Sequence, residues 1–284
     1  MPHPFRFVLC ADDYALSPAV SRGIREALAA GRLSATSVMT TQPGWAREAA
    51  PLAEAAAGAD VGLHFNLTLG APLGALPKLA PDGRCPAIGA LMAAARRGAL
   101  DAGEIAGEAA RQLDAFERSW GRAPDFVDGH QHVQVLPGVR DPLLAELRRR
   151  GLAGKIWLRD SADRPTRALR RGVELKKALG LAVLGRGFAG AARAAGFAVN
   201  DGFSGFSSFA PGDYARDFAR YLKAPGRRHL VMCHPGHVDA ELARLDPVTT
   251  SRERELAFLL SDAFPRVLAR AHARLARFAE AGPA

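Results

Sequence analysis

Short apolar runs alternate along the chain with longer stretches in which apolar residues recur every three or four positions. The short runs predict strands at Phe5–Cys10, Ala35–Thr40, Asp60–Leu67, Pro124–Gly129, Lys155–Arg159 and His229–Cys233. The longer ones predict helices at Pro18–Ala30, Trp45–Ala57, Ile105–Trp120, Gly138–Arg150, Arg167–Leu179, Tyr214–Leu222, Thr249–Leu260 and Arg266–Glu280. The first helix has a good start and stop: Ser17 as N-cap, Pro18 at the first helical position, Gly31 beyond the end. Strands alternating with helices predict an α/β fold, a parallel sheet covered by helices. About seven such units exceed the need of a simple open sheet, so a single (β/α) barrel, distorted or incomplete, is expected over residues 1–284. The segment Ala71–Gly103 is rich in Gly, Pro and Ala and reads as a long connection of the kind that forms lids. No GxGxxG follows the first strand, which removes a dinucleotide fold, and no internal repeat of fixed period is seen.

Composition narrows the reading. The 284 residues are 48% hydrophobic and 24% charged, which is globular and excludes disorder. No apolar run reaches 18 residues, so no membrane span is expected. The N-terminal apolar run Phe7–Ala11 is too short for a secretory signal, and a cytoplasmic location is expected. Cys10, Cys85 and Cys233 lack disulfide or zinc-ribbon spacing. The net charge of +9 comes from 38 Lys and Arg against 29 Asp and Glu. The basic residues are scattered over Ala-rich helices with no aromatic-plus-basic module, so no nucleic-acid partner is expected.

The chemistry lies at the ends of the strands, where barrel enzymes build their sites. The first strand runs into Asp12-Asp13, two carboxylates that are costly to place there without cations or hydrogen bonds. The third carries His64, with Asn66 two residues on and so on the same face if extended. A lone strand histidine is more often a hydrogen-bonded core residue; Asn66 beside it points to a site. The fourth leads into Asp128, His130 and His132, which share one face if extended and make a metal cluster plausible. The late strand ends in His234 before a Pro-Gly turn, a place for a general acid. Arg159 ends the strand Lys155–Arg159 and serves either a substrate hydroxyl or carboxylate or a surface salt bridge. Tyr14, Trp45, Phe65 and Phe206 are able to stack on sugar faces, although core packing is the commoner fate of such residues.

Taken together, the stretches Leu9-Cys-Ala-Asp-Asp-Tyr14 with Leu16-Ser17, Gly62-Leu-His-Phe-Asn-Leu-Thr68, Val127-Asp-Gly-His-Gln-His-Val133 with Pro137, Asp201-Gly-Phe203, and Met232-Cys-His-Pro-Gly236 with Asp239 resemble the YdjC-like carbohydrate deacetylases. That family includes chitooligosaccharide deacetylases and hopanoid-biosynthesis-associated deacetylases. The resemblance implies a distorted (β/α) barrel related to polysaccharide deacetylases and one divalent ion on an Asp-His-His set. By position the ligands are Asp13, His64 and His130, the catalytic base is Asp12, and His234 is the candidate acid. His132, Asn66, Asp128, Arg159 and Tyr14 are expected to touch substrate or support the site. Two imidazoles and a carboxylate suit Zn²⁺ and accommodate Fe, Co, Ni or Mn; Mg²⁺, named for family members, suits imidazole poorly. The implied reaction is removal of an N-acetyl group from an amino sugar, oligosaccharide or glycolipid by metal-activated water, with Asp13 held ionised and Asp12 free to titrate. The family's Asp-Asp-Phe-Gly reads Asp-Asp-Tyr14-Ala15 here, and Ala in place of Gly argues against a positive φ at that turn. A metal-dependent phosphoesterase and a non-catalytic carbohydrate-binding barrel remain open, as does pairing of two chains.

Overall fold

The computed structural model describes residues 4–210 and 212–281. Among the described residues nine strands form one parallel sheet: β1 Phe5–Tyr14, β2 Ala35–Val38, β3 Asp60–Phe65, β4 Phe126–Gly129, β5 Trp157–Leu158, β6 Ala198–Val199, β7 Gly202–Ser204, β8 His229–Cys233 and β9 Ala273–Leu275. Their order is β6-β5-β4-β3-β2-β1-β8-β7, with β9 pairing the first residues of β1, Phe5–Phe7. The two ends of that order, β6 and β7, are consecutive in sequence and joined only by Asn200-Asp201. The sheet thus curls into a barrel whose seam is crossed by the chain itself. Asn200 fastens it, its Nδ2 donating to the carbonyls of Asp160 and Gly202. The fold is the expected distorted (β/α) barrel.

Alternation along each strand separates an outer face, packed on the helices, from an interior. The interior forms its own buried cluster that includes Val8, Cys10, Phe126, Trp157, Phe203, Leu230 and Met232. At its base Phe126 stacks on Trp157 with centroids 4.1 Å apart, and Trp157 stacks on Phe278 at 4.5 Å. A Cβ on Gly62 would lie 2.6 Å from the Phe126 ring, so β3 needs a glycine where that ring crosses it. Two residues further along the same strands the interior changes character: Val8 and Cys10 lead to Asp12, Gly62 to His64, Phe126 to Asp128, Trp157 to Arg159, and Leu230 and Met232 to His234. The apolar base thus carries a polar top.

Three expectations are corrected. The stretch predicted as the helix Arg266–Glu280 is a helix at Ala263–Arg270 followed by β9. His272, at φ 48°, stops the helix, and pairing with β1 overrides the helix propensity of the Ala- and Arg-rich tail. The predicted helix Arg167–Leu179 is two, Pro165–Arg171 and Leu175–Leu184, parted at Gly172, which has φ 65°. The segment Ala71–Gly103 contains the helix Ile88–Arg96. Among the described residues no helix is long and apolar enough to cross a membrane.

Candidate metal centre

Adjacent residues on a strand point to opposite faces, so Asp12 and Asp13 cannot both face the interior while β1 stays regular. The backbone bends. Asp13 has φ 69° and Ala15 φ 71°, and the pairing with β2 slips between Ala11 and Tyr14. The bend turns Asp13 back toward the site, beside Asp12. It corrects the expectation, drawn from alanine at this turn, of a negative φ. The left-handed backbone at an alanine costs about 1–2 kcal/mol, and its surroundings enforce it: Ala15 N donates to Ser21 Oγ at 3.1 Å and Leu16 N to the Asp13 carbonyl at 3.0 Å.

Three donors converge at the bend. His64 Nε2 lies 3.2 Å and His130 Nδ1 3.1 Å from Asp13 Oδ1. The opposite edge of His64 is occupied: its Nδ1 is 2.7 Å from Asp128 Oδ1 and 3.0 Å from Ser37 Oγ, which leaves Nε2 for the site. A carboxylate behind an imidazole in this way fixes its tautomer and orientation for metal binding. The donor atoms of Asp13, His64 and His130 lie within 4.8 Å of one another, and the set fits a divalent ion. Burial alone lowers the pKa of His64, but Asp128, Asp13 and Asp12 together raise it to about 10. Burial opposes ionisation of Asp13, yet Arg252 and the two histidines hold its carboxyl well below the usual range.

Asp128, His130 and His132 do not share an extended face. The strand stops at Gly129, and His130–Val135 is a 3₁₀ turn in which Gln131 and His132 take left-handed angles, φ 53° and 62°. The turn carries His130 to Asp13 and His64 and His132 away from them, against Phe203 and Phe206 at centroid distances of 5.7 and 5.6 Å. Burial, then the charge of Arg159, lowers His132 to about 3, so its imidazole is neutral.

Arg159 is neither a surface salt bridge nor a substrate contact. Fully buried, it gives both ends of its guanidinium to Asp12, at 2.6 Å each, and reaches Asp128 Oδ2 at 2.6 Å. Asp12 is therefore not free to titrate as expected. Burial pushes its pKa up, but Arg159 prevails and brings it to about 2. The other ligand-type cluster among the described residues, Cys10–Asp12–Asp128, is thus filled by a guanidinium.

Asp12, Asp13, His64, His130, His132 and His234 line one cleft of about 570 Å³, inside the range of roughly 300–1,000 Å³ common for small-molecule sites. The backbone N of His234 donates to Glu255 Oε2 at 2.6 Å, its ring meets the Phe209 edge, and its Nδ1 has no partner among the described residues. Two expected residues lie elsewhere. Tyr14 is buried in the core, donating to the Glu48 carbonyl and accepting from Arg25. Asn66 lies past the end of β3, where its amide ties the loop together through Thr41, Thr68 and Leu69. Trp45 and Phe65 are core residues too, and only Phe206 of the four candidate stacking rings lines the cleft.

Sequence reasoning passed over Arg252 and Glu255. Arg252 bonds Asp13 Oδ2 and Asp246 Oδ2, both at 2.7 Å, and burial holds the Glu255 carboxyl above its ordinary value. Both sit on the helix Thr250–Leu260, spaced with Leu256 and Leu259 as i, i+3, i+4 and i+7. Two charges on the apolar stripe of a helix are the signal that would have found them.

The family described as YdjC-like protein matches residues 6–270. A chitooligosaccharide deacetylase of Klebsiella pneumoniae subsp. pneumoniae is 32% identical over 238 residues, 82% of each chain. A human carbohydrate deacetylase is 34% identical over 185 residues, 60% of this chain and 55% of that one, so the chain spans little more than half of that relative. Among solved structures, an Enterococcus faecalis V583 protein named for cellobiose-phosphate cleavage superposes with a TM-score of 0.74 at 20% identity, over 98% of this chain and 99% of that one. A family 4 carbohydrate esterase from Streptomyces lividans shares the fold with a TM-score of 0.50 at 8% identity, over 100% and 98% of the two chains.

Proposed function

Because this chain belongs to the YdjC-like protein family, we propose that it is a metal-dependent carbohydrate deacetylase, one barrel domain that removes the N-acetyl group of an acetylated amino sugar, oligosaccharide or glycolipid. One observation carries the reading. The Asp13–His64–His130 donor set stands in one cleft with a carboxylate, Asp12, pinned by a buried arginine, and with an imidazole, His234, whose Nδ1 is unpartnered. The names of the deacetylase relatives support it.

Asp13, His64 and His130 would hold one divalent ion, Zn²⁺ by preference, with Co, Ni, Mn or Fe accommodated and Mg²⁺ a poorer match for two imidazoles. When bound, the ion supplies a Lewis acid that polarises the amide carbonyl and acidifies water. Asp12 accepts the proton of the attacking water. Arg159 keeps it ionised at neutral pH and fixes both oxygens in place. As the water oxygen bonds to the carbonyl carbon, His234 donates a proton to the amide nitrogen, the C–N bond breaks, and acetate and a free amine leave. Asp128 aims His64, and His132 with Phe206 forms the wall against which a sugar ring lies.

The test is a metal count paired with acetate release from N-acetylglucosamine oligomers. The wild type should hold one ion per chain and release acetate. His130→Ala should lose the ion, and Asp12→Asn should keep it and lose turnover by about 10²-fold or more. Two or more ions per chain would favour a phosphoesterase. Binding of the oligomers by the loaded protein without acetate release would favour a non-catalytic role.

A further inference from the structure

The charge of this chain is unevenly placed. Residues 164–193 hold eight lysines and arginines and one acidic residue, Glu174, so seven of the nine net positive charges fall in that segment. It forms the helices Pro165–Arg171 and Leu175–Leu184 beside the cleft. The second, LKKALGLAVL, is apolar beyond its first turn, yet only Leu181 is buried. Val183 is 68% exposed, and Leu169 on the first helix 58%, well above the other exposed large apolar residues, Leu73 and Leu260. Lys176, Lys177, Leu181 and Leu184 line the cleft, and the half-buried Leu179 and the exposed Val183, spaced i and i+4, lie on the adjoining face. The apolar wall of the cleft therefore continues over the helix to the surface. Around it Arg164, Arg170, Lys176 and Arg186 are exposed, and no ion pair engages them among the described residues.

An exposed apolar stripe edged by unpaired cations on long aliphatic stems has the chemistry of an interfacial surface. The apolar side chains reach below the headgroups while the cations meet phosphates. We propose that this helix pair docks the protein on an anionic phospholipid bilayer, with Leu169 and Val183 inserted and the mouth of the cleft opening at the membrane. Charge complementarity selects the bilayer over a neutral partner: Arg167 and Arg171 are paired with Asp163 and Lys177 with Glu174, but Arg164, Arg170, Lys176 and Arg186 remain as exposed, flexible cations without an ion pair among the described residues. The inference rests on surface chemistry and stands apart from the deacetylase reading.

Flotation with phosphatidylcholine vesicles, with and without phosphatidylglycerol, tests it on the full chain. Wild type should float with the phosphatidylglycerol vesicles, remain with the soluble fraction in phosphatidylcholine alone, and detach as salt rises. Arg170→Glu/Arg186→Glu and Leu169→Ser/Val183→Ser should each weaken binding at least about tenfold. None of these four residues lines the cleft, so both variants should keep the wild-type Tm and the wild-type acetate release from soluble oligomers. Failure of wild type to bind the anionic vesicles overturns the proposal. So does equal binding to neutral ones, or binding that neither variant weakens. A wild type that ignores vesicles but forms a dimer broken by Leu169→Ser/Val183→Ser would assign the face to a second copy of the chain and overturn it as well.

Discussion

The interior of the barrel holds two layers, two residues apart on the same strands, that are alike in depth and opposite in chemistry. Phe126 and Trp157 form the lower layer; Asp128 and Arg159, next on the same faces, belong to the upper. All four are buried. The lower layer is held by stacked rings and buried area, which act without strict direction. The upper layer is held by aimed charges: Arg159 to Asp12 and Asp128, and Asp128 to His64. Apolar layers accept exchanges of similar volume. A charged layer accepts few, because removing one member leaves another buried without its partner. Buried ion networks contribute little net stability compared with apolar packing, so the upper layer is explained by what it positions.

Removing one member of each layer separates their roles. Trp157→Ala and Arg159→Leu should each cost about 3–5 kcal/mol, one through a cavity and the other through unpaired carboxylates. Urea unfolding measures both. Their activities should part company. The Trp157→Ala protein, assayed while folded, should keep acetate release within a few-fold of wild type, whereas Arg159→Leu should lose about 10²-fold or more as Asp12 loses the cation that keeps it ionised and aimed. An Arg159→Leu enzyme with wild-type kcat would mean that the charged layer does not position the base.

The same layering shows what could be read from the chain. Alternation and strand ends suffice to place Asp12, His64, Asp128 and His234 near one another, because a parallel strand fixes which way each side chain points until it ends. Past that point the rule lapses. Tyr14 and Asn66 sit just beyond regular pairing and turn into the core and a loop, and His132 is swung off by the left-handed turn after Gly129. Arg252 and Glu255 come from a helix, far in sequence from every strand end, so nothing in the strand pattern pointed to them. The strand β9 was hidden for another reason: its Ala- and Arg-rich sequence favours helix, and only pairing with Phe5–Phe7, the start of β1 that β2 does not reach, makes it extended.

A smaller effect appears in acid. The pKa of Asp12 is about 2 in the folded protein against an ordinary 3.8. A group depressed on folding stabilises the protein above its unfolded pKa, and that stability fades as pH falls toward the folded value. The window is pH 3.8 to 2 and the contribution about 2 kcal/mol. Other carboxylates titrate there too, so the readout is a difference. Between pH 5 and 2, the urea midpoint of wild type should fall further than that of Arg159→Leu, and Trp157→Ala should follow wild type. Parallel curves for wild type and Arg159→Leu would show that Asp12 does not draw its ionisation from the guanidinium.

The bend that brings Asp13 beside Asp12 offers the finest contrast, between two buried alanines, one within β1 and one just past its end. Ala11 is extended and paired with Thr36 and Cys233; Ala15, four residues on, sits at φ 71°. Replacing either by glycine deletes a buried methyl and loosens the unfolded chain by the same amount. Only at Ala15 does glycine also release left-handed strain, of about 1–2 kcal/mol. Ala15→Gly should therefore cost at least about 1 kcal/mol less than Ala11→Gly. Because the strain is stored in a turn fixed by Ser21 and the Asp13 carbonyl, metal affinity should be unchanged. Equal losses at the two positions would mean that the turn carries no such strain, and that the approach of the two carboxylates is maintained by Arg159 and Arg252 alone.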